Sequence, residues 1–92
     1  MKPDISKVRN LIEQTGENLD KIARICDHCV PVLADERVIT LNQQNRDNLQ
    51  SIFYSLKSLS NWKAYADIVE QLKAEVDRLK RNYHFVKAQY LA

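Results

Sequence analysis

Two heptad tracks constrain this chain more than any other feature. One reads Ile5, Val8, Ile12, Thr15, Leu19, Ile22, Cys26, Cys29, Leu33. The other reads Trp62, Tyr65, Val69, Leu72, Val76, Leu79, Tyr83, Val86, Tyr90. Both step by alternating threes and fours, which places a narrow apolar seam along one side of a long helix. A seam of that kind leaves water only by packing against another helix. The expectation is an all-α protein of two or three long antiparallel helices: a helical hairpin or a three-helix bundle with coiled-coil-like seams, three being the favoured number.

Length and composition agree. The chain has 92 residues, one glycine and two prolines. That is one domain with little material for tight turns. Such a short chain buries only about 60–65% of its unfolded surface, and self-association is the usual remedy for a thin core. A homo-oligomer is therefore expected. No apolar run is long enough to span a bilayer, and Met1, Lys2, Pro3 and Asp4 lack the apolar core of a signal peptide. Two cysteines three apart are no disulfide framework. Together these point to a cytoplasmic protein in a reducing compartment.

The spacing predicts helix 1 over about 4–30, with Asp4 as its N-cap and Pro31 as its stop. Gly16 lies inside this helix at a cost of roughly 1 kcal/mol against alanine, but the seam runs through it in phase. Residues 31–40 read as a connector with room for a helical turn: a helix could start at Pro31, but Arg37-Val38-Ile39-Thr40-Leu41 is rich in β-branched side chains and could equally be extended. Helix 2 is expected over about 41–59, on the seam Leu49, Ile52, Leu56, Leu59. Its polar start, Asn42 to Asn48, is expected to be a solvated, fraying turn. Carrying the frame backwards would instead bury Asn45, where an asparagine sets register. At Ser60-Asn61 the frame jumps: either a turn separates helix 2 from helix 3, over about 62–90, or one continuous helix carries a stammer; the turn is the favoured reading. Helices 1 and 3, of similar length, read as antiparallel neighbours.

Only one cluster looks chemical: Cys26-Asp27-His28-Cys29. Cys26, His28 and Cys29 are candidate zinc ligands by type, but a fourth ligand is missing nearby. The expected role of Cys26 and Cys29 is small apolar core, so no metal and no cofactor are expected. A single glycine cannot build a phosphate loop, and no nucleophile–base cluster is present, so the chain is not expected to be an enzyme.

Net charge is +2, yet Arg78 to Ala92 carries bases and no acid. Arg78, Lys80, Arg81 and Lys87 interleave with Tyr83, Phe85 and Tyr90, a mixture that suits phosphates and unpaired bases. The simpler account is a seam plus a solvated basic face that complements the helix dipole. The favoured function is a non-catalytic protein–protein interaction module: a small adaptor, inhibitor or assembly subunit working through helix packing. Its assembly residues would be Leu19, Ile22, Cys26, Leu49, Ile52, Leu56, Leu72, Val76 and Leu79. Phe53, Tyr54 and Phe85, aromatic yet off or beside the seams, are the candidates for an external partner. The alternatives are a nucleic-acid-binding accessory protein using residues 78–90, and a metal-stapled helical protein using Cys26, His28 and Cys29.

Overall fold

The computed structural model describes residues 4–28 and 35–90. It contains α1 (Ile5–His28), α2 (Glu36–Leu59) and α3 (Ala66–Tyr90), with a 3-10 turn at Lys63–Tyr65 leading into α3. No strand occurs among the described residues. The three helices pack side by side into a rod of 49 × 20 × 18 Å. α1 and α2 make the closest pair.

Local chemistry sets the helix ends. The Asp4 carboxylate accepts a hydrogen bond from the Lys7 backbone N–H at 3.2 Å, capping α1 as the sequence suggests. Gly16 does not break α1. The Ser60 N–H donates to the Leu56 carbonyl at 2.9 Å, and the Trp62 N–H to the Leu59 carbonyl at 2.9 Å. The Ser60 hydroxyl donates to the Lys57 carbonyl at 2.6 Å. Orphan carbonyls at the end of α2 are thus satisfied within the turn. Trp62 is extended, which separates α2 from α3 without glycine or proline.

The start of α2 corrects the expected connector. Asp35 is the N-cap, accepting the Arg37 backbone N–H at 2.9 Å, and α2 begins five residues earlier than the pattern suggested. Helical packing overrides the β-branched run because Val38 falls in phase with the seam and is fully buried. Residues 29–34, including Cys29, Pro31 and Leu33, lie outside the described residues.

Two apolar clusters hold the rod together. The first joins Val8 to Ile52, Leu56, Leu59, Val69 and Leu72. The second joins Leu19 and Ile22 to Val38, Leu79 and Val86. The start of α1 therefore meets the end of α2 and the start of α3, and the far ends meet likewise. The topology is up-down-up. This corrects the pairing of helices 1 and 3: α2 is antiparallel to both, and α1 and α3 run parallel, because a second long helix returns the chain to its starting end.

A polar layer separates the clusters. Thr15, Asn18, Asn42 and Asn45 are buried. Asn18 Nδ2 donates to Gln44 Oε1 at 3.3 Å, and the Thr15 hydroxyl donates to the Leu11 carbonyl at 2.7 Å. The polar block of α2 is thus mid-helix, with Asn42, Asn45 and Asn48 facing inward and the residues between them exposed, not a frayed turn. With Val38 and Leu41 continuing the seam beyond it, the helix is anchored on both sides and cannot unwind there cheaply.

Candidate partner-binding groove

The residues expected to drive assembly are spent inside the chain. Leu19, Ile22, Ile52, Leu56, Leu72 and Leu79 are buried in the two clusters, and Cys26, Leu49 and Val76 are half-buried against them. Each seam covers another seam of the same molecule. What remains outside is a different set. Phe53 is 63% exposed, Tyr54 62% and Phe85 57%. A lone exposed aromatic is ordinary, whereas a contiguous apolar patch marks a binding surface.

Phe53 and Tyr54 are not isolated. Both line a groove of about 790 Å³ between α2 and α3. Their rings meet edge to face, with centroids 5.9 Å apart, a favoured aromatic geometry. The floor is apolar: Leu49 and Leu56 from α2, Val76 and Tyr83 from α3. The lining runs from Arg46 to Ser60 on α2 and from Lys73 to His84 on α3. At ~1.5 Å per residue that is about 20 Å along α2, enough for roughly four turns of a third helix. Phe85 does not line the groove.

The groove's rim is basic. Arg46 and Lys57 stand on the α2 side, and Lys73 and Lys80 on the α3 side, against one lining acid, Asp77. Arg46 Nε lies 3.5 Å from the Asp47 carboxylate, and Lys73 Nζ lies 3.7 Å from Glu70. Both pairs are well exposed, so solvent weakens them strongly. They leave the cations available to a second, better-placed acid.

The C-terminal bases do not form one stripe. Lys80 belongs to the groove. Lys87 follows it by two turns, while Arg78 and Arg81, three apart, sit on a different face at ~100° per residue. Of the candidate metal set, Cys26 packs half-buried against the second cluster. The His28 side chain and Cys29 lie outside the described residues. Among the described residues no three His, Cys, Asp or Glu side chains gather as a ligand set.

Of the groove's lining, the sequence singles out Phe53 and Tyr54 as exposed aromatics and Lys80 only for a different role, contact with phosphates. Arg46, Lys57 and Lys73 are ordinary helix-surface bases when read singly. Only the way α2 lies on α3 brings them to one opening. The available signal was that they flank seam positions on the two adjacent helices, as charges flank a coiled-coil interface. Among the described residues no helix is long and apolar enough to cross a membrane. No protein-family model, curated protein or solved structure matches the chain.

Proposed function

We propose that the protein is a non-catalytic interaction module, a small adaptor, inhibitor or assembly subunit, that docks a helix of another protein into the α2–α3 groove. The observation that carries this reading is the apolar groove itself, a helix-sized trough between two long helices with Phe53 and Tyr54 open to water on its wall. An amphipathic helix laid in such a trough buries its apolar stripe and makes the rod a four-helix bundle. No acid, lysine, arginine or histidine whose burial is described is buried, which favours binding over chemistry. The seams cover one another within the chain, so the groove is the apolar surface left for a partner helix.

Display of a library of amphipathic helical peptides tests it. Each peptide carries a leucine seam at i, i+3, i+4 and i+7, with flanking positions varied among Glu, Gln and Lys. Peptides should be enriched on the wild-type protein and lost on Phe53→Asp and on Tyr54→Asp. Both positions are exposed, so the variants should keep the wild-type melting curve. Absence of any enrichment dependent on Phe53 would overturn the reading.

A further inference from the structure

We infer that the groove selects an acidic partner helix: an amphipathic segment of another protein whose apolar stripe is flanked by Asp and Glu. This rests on the groove reading above and adds the partner's charge. The lining holds Arg46, Lys57, Lys73 and Lys80 against Asp77 alone. Lys57 and Lys73 lie toward the end near the turn, and Arg46 and Lys80 toward the other, so the positive charge runs the length of the trough. An apolar helix with acidic flanks would seat its stripe between Leu49 and Val76 and bring carboxylates to both walls. Complementary charge of this kind chooses among partners and speeds encounter more than it adds affinity.

A second copy of this chain fits poorly. Two grooves face to face would set one basic rim against the other. Outside the groove two more aromatics are open, Trp62 at the turn before α3 and Phe85 on α3; Phe85 has Arg81 one turn before it and Arg78 two turns before it on the same helical face. That surface is positive as well. A nucleic acid would satisfy the bases, but it would leave the apolar floor of Leu49, Leu56 and Val76 facing polar backbone.

The charge of the selected peptides decides the matter. Because Glu, Gln and Lys are comparable helix formers, a bias among them reports the groove and not helicity. Glu should be enriched at flanking positions. A Glu-flanked peptide should bind about tenfold more tightly than the same seam flanked by Lys, with the difference shrinking as salt is raised. The combined variant Lys57→Glu, Lys73→Glu, Lys80→Glu should reverse the preference. Equal binding of the two peptides, or preference for Lys, overturns the inference while the Phe53-dependent docking still stands. Loss of all Phe53-dependent enrichment removes both. Two further outcomes would also overturn it. One is a dimer in sedimentation equilibrium that Phe53→Asp abolishes. The other is a single-stranded oligonucleotide that binds more tightly than the Glu-flanked peptide and depends on Phe53.

Discussion

Asn45 has no exposed surface, and neither its side-chain nitrogen nor its oxygen has a hydrogen-bond partner among the described residues; Asn42 Oδ1 and Asn48 Nδ2 share that condition. A buried amide without partners costs about 1–3 kcal/mol. Asn45→Val keeps similar helix propensity and removes the amide, so it should stabilise the protein by about 1–2 kcal/mol. For a domain this small that raises the melting temperature by several degrees; a lower melting temperature in calorimetry would show that the amide is satisfied. The reason to retain such a residue is register, since a polar layer between apolar clusters penalises slipped helix pairings. Asp35 is a second residue with a distinct signature. Its carboxylate accepts hydrogen bonds from the Arg37 guanidinium at 2.8 Å and from the Arg37 backbone N–H at 2.9 Å. The Arg37 side chain first, and its backbone second, hold the Asp35 pKa below the ordinary value. A depressed carboxylate stabilises the fold above its ordinary, unfolded-state pKa, and that contribution is lost as pH falls through the lower folded value. Comparing melting temperatures at pH 7 and pH 3, the drop should be smaller for Asp35→Asn than for the wild type. Asparagine keeps the cap but has nothing to titrate. Equal drops would place the acid sensitivity elsewhere.

At the scale of the helix, the three seams differ in how completely they are covered. Ile52 of α2 is fully buried in the first cluster, whereas Val76 of α3 is half-buried and forms groove floor. Ile52→Asp is therefore the severe change of the two. An unpaired charge there rivals the ~5–10 kcal/mol stability of such a domain, and circular dichroism should show no cooperative melt. Val76→Asp should keep the cooperative melt, because its carboxylate can reach water along the groove. Ser51→Asp, on the exposed side of α2, should cost under about 0.5 kcal/mol. Similar melts for Ile52→Asp and Ser51→Asp would mean that α2 faces the other way. Gly16 offers the opposite sign. A Cβ built there meets Leu79 Cδ2 at 3.8 Å, an ordinary contact. Gly16→Ala should therefore stabilise α1 by up to about 1 kcal/mol, seen as a higher urea midpoint at unchanged slope.

For the molecule as a whole, the seams close on one another, and among the described residues the large apolar side chains open to water are Phe53 and Tyr54 at the α2–α3 groove, with Trp62 and Phe85 apart from it. Without a partner helix, sedimentation equilibrium at micromolar concentration should return the 10.7 kDa of one chain; a larger mass that survives Phe53→Asp would mean that another face pairs the copies. Much of this was readable from the residues alone. Helix content, the seams of α1 and α3, the Asp4 cap and the turn after Leu59 follow from local rules: apolar spacing, side-chain capping and the cost of exposed apolar area act within a few residues of one another. Phe53, Tyr54 and Phe85 were visible for the same reason, as aromatics out of phase with their seams. The onset of α2 was not. Asp35 is a good cap, but the β-branched run after it argued for an extended segment, and only burial of Val38 against Leu19 and Ile22 outweighs that preference. The frame offered burial of Asn45 only as the less favoured of two readings, and no periodic pattern could say that α1 and α3 run parallel or that four scattered bases share one opening. Periodicity fixes which face of a helix leaves water. It carries no information about which neighbour covers that face, at what register, or where two helices fail to close, because those depend on the packing of all three at once.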